Sequence, residues 1–171
     1  SRAPCTCFDG TSIACRSGIF GRKPDEARVK MLAAKFGGRL LERVHTCSLL
    51  PGAKPFLANR HGHQSLHLIC GTRQRDLDTI VARLGLTHDF DSIVGAPTGK
   101  RDAFLSILVG DQMLPHQALA IGDSMTELRA AQALRIPFIG IASPDAPDTF
   151  PAETVVLPNL AAADAMWNCG R

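Results

Sequence analysis

The chain has 171 residues, 45% hydrophobic and 20% charged, a balance that argues against disorder over most of its length and suits one globular domain with room for a small insertion. The formal net charge of +3 at pH 7 is scattered along the sequence, and without a basic stripe nucleic acid is not an expected partner. No apolar run approaches the roughly 18 residues that cross a bilayer, and no charged-then-apolar leader opens the chain, so no membrane partner is expected and the cytoplasm is the expected location.

The first fifty residues contain CTCFDGT, followed by a Gly- and Arg-bearing stretch from Arg16 to Lys23. PDEARVKMLAAKFGG then reads as a helix, with Pro24 in its first turn and Gly37 and Gly38 at its end. A shorter helical piece follows between Arg39 and Thr46. Residues 12–50 are therefore expected to form a helical insertion over a core built from residues 1–11 and 51–171.

From Pro51 onward strands and helices alternate through short connections. PGAKPFLANR reads as a helix and SLHLIC as a strand ending at Gly71. RQRDLDTIVARLG is an amphipathic helix with Leu77, Ile80, Val81 and Leu84 on one face and Gly85 at its C-terminal end. DSIVG is the next strand. After the GAPTG loop comes a helix from Lys100 to Gly110, with Phe104, Leu105 and Leu108 expected on its buried side. QALAIGD has the apolar run of a strand covered on both faces. TELRAAQALR is a helix of strong helix formers, PFIGIA a strand, and TVVLPNL leads through a short strand into a last helix carrying Trp167.

Repeated strand–helix units with short loops imply an α/β fold, a three-layer, doubly wound parallel sheet. Ligands of such sheets bind beyond the carboxyl ends of the strands, where the loops gather. The chemistry-bearing residues should therefore stand at strand ends.

Two segments do. In IGDSMTELRAA an apolar strand delivers Asp123 to its end, and Glu127 follows on the first turn of the next helix. Two carboxylates so placed suit a hard cation, and Mg2+ is the natural guest because it takes oxygen ligands and keeps exchangeable waters. The structural alternative is that Asp123 caps the helix and Glu127 supports its positive N-terminus. Lys100 opens a helix directly after a strand and the GAPTG loop, where an ammonium can reach into the crevice and neutralise phosphate.

The six cysteines, Cys5, Cys7, Cys15, Cys47, Cys70 and Cys169, lack zinc-finger spacing and are expected as reduced thiols. His61, His63 and His67 have the look of a metal cluster, but two fall in a loop and one in a strand, with no fourth ligand. They are expected to be ordinary surface and sheet residues.

Together PGAKPFL, LGLTHDFDSIVGAP, Lys100 and GDSMTE resemble the haloacid dehalogenase-like (HAD) superfamily, in its phosphoglycolate-phosphatase-like branch. The resemblance covers Pro51 to Ile141, and it implies a HAD-like Rossmannoid core with a small helical cap insertion. It makes Lys100 the motif lysine and Asp123 and Glu127 the acidic fourth motif. The first and second motifs are degenerate. Aligned on DxDxT, CFDGT puts Cys7 at the nucleophile position and Asp9 at the general acid/base position, where the backbone of Asp9 would join the metal site. Cys70 of LICGT takes the place of the second-motif hydroxyl, and Thr72 is the alternative.

A thiolate is a soft ligand that suits zinc better than magnesium, so losing the Asp removes a phosphoryl acceptor and a hard ligand together. The resemblance also makes the strands of Cys7 and Cys70 neighbours; two inert thiols are expected there rather than a disulfide or a soft-metal site. It implies an Mg2+-dependent phosphohydrolase acting on a small phosphorylated substrate, weakened by the missing nucleophile. Arg16, Arg22 and Lys23 would supply positive charge from the cap. The alternative is an inactive module that binds a phosphate ligand or a protein. Oligomeric state is left open by the sequence.

Overall fold

The computed structural model describes residues 49–142 and 150–168. Their elements run α1 (Ala53–Ala58), β1 (His67–Arg73), α2 (Gln74–Arg83), β2 (Ser92–Ala96), α3 (Lys100–Gly110), β3 (Ala120–Gly122), α4 (Met125–Ala133), β4 (Phe138–Ile141), β5 (Val155–Leu157) and α5 (Leu160–Asn168). The expected insertion at 12–50 lies almost wholly outside the described residues, as do Cys7 and Asp9.

All strand pairing among the described residues is parallel. β1 pairs with β2, His67 facing Ser92 and Ile69 facing Val94, while β3, β4 and β5 form a second ladder in that order. The entry to the first pair is pinned reciprocally: Asp91 N–H donates to Leu66 O at 2.7 Å, and Leu66 N–H donates to Asp91 Oδ2 at 2.7 Å. The other end is irregular, because the register shifts between Ile69 and Arg73. Gln74 compensates there. Its Oε1 accepts from Gly95 N–H at 2.6 Å and its Nε2 donates to Ile93 O at 3.0 Å.

α2 covers the first ladder, burying Leu77 and Val81 against Leu57 and Leu86, with Leu68, Cys70 and Ile93 packed around them. Removing a side chain such as Leu77 from water stabilises the fold by about 1.5–3 kcal/mol. α3 and α4 pack together beside the second ladder, where Leu108, Ala120, Ala131 and Ile136 form another core with Phe104, Met113 and Phe138 around it. α5 packs on α1 and β5.

The three long helices after β1, β2 and β3 end in the same way. A left-handed residue follows each helix, and the apolar residue after it donates its N–H back into the last turn. Leu86 donates to Val81 O, Met113 to Leu108 O and Ile136 to Ala131 O. The left-handed position is Gly85 at φ 69° in the first case, but Gln112 at φ 55° and Arg135 at φ 58° in the others. Each motif folds an apolar side chain under its own helix and starts the return to the sheet.

Some expectations need correcting. β1 does not stop at Gly71 but continues through it to Arg73. Leu105 is not on the buried side of α3: it is 42% exposed, and Ala103 at 1% is the residue that packs inward with Leu108. At about 100° per residue the inward face runs from Ala103 and Ile107 through Phe104 to Leu108, and Leu105, one further step on from Phe104, lies beyond its edge. Among the described residues no group of three His, Cys, Asp or Glu side chains is placed to hold a metal ion. His67 instead bridges structure: its Nδ1 is 2.8 Å from Ser92 Oγ and its Nε2 is 2.9 Å from Asp111 Oδ2.

Candidate functional site

Parallel strands leave their carboxyl ends on one side of a ladder, and here side chains join the ends of both ladders. β2 ends at Ala96, and the following loop delivers Lys100 to the first turn of α3. β3 ends at Gly122, and Asp123 and Ser124 lead into α4. Lys100 Nζ donates to Thr126 Oγ1 at 3.0 Å and to Ser124 Oγ at 3.3 Å, and forms a hydrogen-bonded ion pair with Glu127 Oε1. Both charged side chains are largely shielded, at 14% and 15% exposure.

Glu127 is held from a second side. Its Oε2 accepts from the N–H groups of Asp123 at 3.1 Å and Ser124 at 3.0 Å, and from Ser124 Oγ at 3.1 Å. The residue therefore does what the structural alternative described: it closes the N-terminus of α4, where free N–H groups and the helix dipole favour a carboxylate. It also does something the sequence did not suggest, which is to anchor Lys100. A glycine must precede it. A Cβ built on Gly122 would collide with the Glu127 carboxylate, standing 2.9 Å from Cδ.

Asp123 stands half-buried at the same strand end, and its main chain belongs to this network. At the end of β1, Cys70 Sγ donates to Thr72 Oγ1 at 3.3 Å. That bond uses the thiol's proton and leaves the Thr72 proton as the stronger donor of the two. Cys70 is a free thiol. Cys7 and Asp9 lie outside the described residues, so the structure brings together Lys100, Asp123 and Glu127 and is silent on the first motif.

Sequence reasoning missed Ser124 and Thr126. The S-x-x-E spacing of Ser124 and Glu127 was a capping signal in plain sight, but nothing local announces that Lys100 lies against it. A second cation was missed too. Arg60, 4% exposed, donates through Nη1 to Asp164 Oδ1 at 2.6 Å and to Phe56 O at 3.1 Å, with its guanidinium 3.8 Å above the Phe56 ring and 5.2 Å from that of Trp167. The Arg60 hydrogen bond holds the Asp164 carboxyl below its ordinary pKa of 3.8, with a further contribution from the amide of Asn59.

The model of haloacid dehalogenase-like hydrolases matches residues 9–141. The chain belongs to that family. The match takes in Asp9 at its first position and leaves Cys7 just outside. The HAD fold recurs in solved structures. CbbY from Rhodobacter sphaeroides, in complex with phosphate, is 18% identical with a TM-score of 0.71, over 89% of this chain and 73% of that one. A predicted phosphoglycolate phosphatase from Haemophilus somnus 129pt is 18% identical at a TM-score of 0.69, over 91% and 73%. The HAD-hydrolase YfnB of Bacillus subtilis, bound to magnesium, is 18% identical at 0.67, over 93% and 70%. The chain spans less of some HAD neighbours, 64% of a Geobacter sulfurreducens hydrolase. No curated protein matches it in sequence. Among the described residues no helix is long and apolar enough to cross a membrane.

Proposed function

We propose that this HAD-family chain is a magnesium-dependent phosphohydrolase that acts on a small phosphomonoester in the cytoplasm. The observation that carries the reading is the meeting of Lys100 with the start of the helix after Asp123, which sets an ammonium group from one strand end against the Glu127 carboxylate at another. Phosphoryl transfer asks a protein mainly for positioning and for charge around the phosphoryl oxygens. This rim offers both.

The donor set fits Mg2+. Asp123 and Glu127 supply hard carboxylate oxygens at one strand end, and the backbone of Asp9 is the proposed third contributor. Glu127 already accepts from Lys100, two main-chain N–H groups and a hydroxyl, which hold its carboxylate in place beside Asp123, and both acids are assigned to the cation. When bound, the cation would neutralise phosphoryl charge and orient the ester. Lys100 would stabilise charge on the transferring group, Asp9 would act as general acid/base, and Thr72 or Cys70 would donate to a phosphoryl oxygen. Residues 12–50 would cap the crevice and exclude water.

Cys7 at the nucleophile position is the weak point of this machinery. A concerted catalytic unit that loses its nucleophile loses several orders of magnitude in rate. The second reading, a non-catalytic module that binds a phosphate ligand or a protein partner, draws its support from Cys7 and Cys70 standing where the family's pattern has an acid and a hydroxyl.

The test is hydrolysis of p-nitrophenyl phosphate and a panel of small phosphomonoesters, with Mg2+ and with a chelator. Slow, magnesium-dependent turnover is expected, abolished by Asp123→Asn and raised at least about 100-fold by Cys7→Asp. Robust turnover that survives Cys7→Ala would remove the claim of weakening. Saturable binding of inorganic phosphate with no turnover, even by the Cys7→Asp variant, would decide for the binding module.

A further inference from the structure

Lysine carries its charge on a long, flexible stem, and an ammonium group at a crevice rim has no reason of its own to hold one position. Here it does hold one. An ammonium has three protons to donate, and the oxygens of Thr126, Ser124 and Glu127 receive them. The three acceptors are not equivalent. Glu127 is fixed by the helix start, which would need a carboxylate there whether or not Lys100 existed. Ser124 sits at the N-cap position of α4, a place that favours serine for its own sake.

Thr126 differs. It stands at the second position of α4, and its hydroxyl meets Lys100 and Ser124 and no main-chain N–H of the helix start among the described residues. The hydrogen bonds of its hydroxyl are to Lys100 Nζ at 3.0 Å and to Ser124 Oγ at 2.7 Å. β-Branching makes its χ1 stiff, so the oxygen is presented in a fixed direction.

We propose that Thr126 is a positioning residue that fixes where the Lys100 ammonium stands. An arriving phosphate oxygen needs one of the three protons, and the longest contact, 3.3 Å to Ser124 Oγ, is the one that yields. Ser124 keeps Thr126 and Glu127 as partners after the exchange, so no polar group is orphaned. Thr126 and Glu127 stay on the ammonium and hold it at the mouth of the crevice. The value of this tether to catalysis rests on the phosphohydrolase reading, but the tether itself does not.

The experiment is competitive acylation of the intact chain by acetic anhydride, with each lysine followed by peptide mass spectrometry and the exposed Lys54 as internal standard. Thr126→Val keeps the shape and removes the hydroxyl; Thr126→Ala is the second variant in case the first misfolds, and Thr126→Ser restores the oxygen. Relative to Lys54, Lys100 should acylate at least about fivefold faster in the Val or Ala variant, return to the original rate in the Ser variant, and lose part of the protection that inorganic phosphate gives it. An unchanged Lys100 rate in Val and Ala, or a Ser variant that behaves like them, overturns the proposal. Labelling needs no turnover. A chain that shows the labelling pattern but hydrolyses nothing keeps the tether and discards the phosphohydrolase.

Discussion

Two lysine or arginine pairs with carboxylates tie distant parts of the described residues together, and they are built differently. Lys100 and Glu127 join α3 to α4 at the strand ends, among hydroxyls and main-chain N–H groups that can trade partners. Arg60 and Asp164 join the connection before β1 to α5, under the rings of Phe56 and Trp167. The first cation is an ammonium, a compact charge able to turn its protons toward a new acceptor. The second is a planar guanidinium stacked on an aromatic face, which favours a single orientation. Two of its nitrogens, Nε and Nη2, are buried without a hydrogen-bond partner among the described residues, and the aromatic rings pack against the guanidinium instead. One pair is suited to meeting a ligand and the other to closing the fold. Formal charge alone does not distinguish them; their neighbours do.

The sharpest way to break that comparison is to remove each cation's function in turn. Lys100→Met should lower turnover by about 100- to 1000-fold, the usual cost of deleting a preorganised charge stabiliser, while the thermal midpoint moves less than in the Asp164 variant below. A steady-state assay beside a melting curve reads both. If Lys100→Met unfolds the chain and leaves the specific activity of the remaining folded protein intact, the two pairs are of one kind after all.

A smaller loss at the same site should follow from Gly122→Ala, which replaces neither charged residue. The added Cβ has to displace the Glu127 carboxylate, and Lys100 moves with it. A misplacement of this order costs roughly 10- to 100-fold in rate. Turnover near that of the unaltered chain would mean that the Glu127 anchor contributes little to the position of Lys100.

The same contrast separates what the sequence could and could not reveal. Helix α3 was legible to its ends, because Gly99 and Gly110 bracket a run of helix formers, and the Gly85 terminus was equally plain. Asp123 and Lys100 were expected on one rim because strand-to-helix turns in a parallel sheet converge, and Lys100 does reach the turn that follows Asp123. Side-chain facing was less legible. Phe104, Leu105 and Leu108 are all large and apolar, and composition cannot tell that Leu105 points outward while the small Ala103 packs inside. Partners far apart in the chain were invisible. Arg60 and Asp164 are separated by 104 positions, and no local pattern announces a pair whose members are brought together only when α1 packs on α5.

The Arg60 pair has its own signature in stability and in pH. Asp164→Ala leaves a buried guanidinium without its carboxylate and should lower the thermal midpoint by about 5 °C, with specific activity unchanged. Because Arg60 depresses the folded-state pKa of Asp164, the folded chain binds that proton less readily than the unfolded chain. The stabilisation is therefore complete above the unfolded value of about 4 and is lost as pH falls through the folded one. The original chain and the Asp164→Ala variant should differ in midpoint at pH 7 and converge in strong acid. A difference that stays constant down to pH 2 would show that the carboxylate's charge is not what Arg60 responds to.

The mildest change sharpens the comparison by leaving both pairs alone. Gln112 and Arg135 hold left-handed conformations at the ends of α3 and α4, the helices that carry Lys100 and Glu127. A side chain crowds that conformation at a cost of roughly 1–2 kcal/mol, and glycine removes the crowding while adding freedom to the unfolded chain. The first effect outweighs the second, so Gln112→Gly and Arg135→Gly should each stabilise by about 0.5 kcal/mol, additively because they close different helices. Chemical denaturation resolves the sum as a higher midpoint at constant slope. Lys100 stands at the opposite end of α3 from Gln112, and Glu127 at the opposite end of α4 from Arg135. Stiffer helix ends with turnover unchanged would show that the position of Lys100 is set locally, by the three oxygens around its ammonium, whereas a parallel change in turnover would assign part of that positioning to the helix ends.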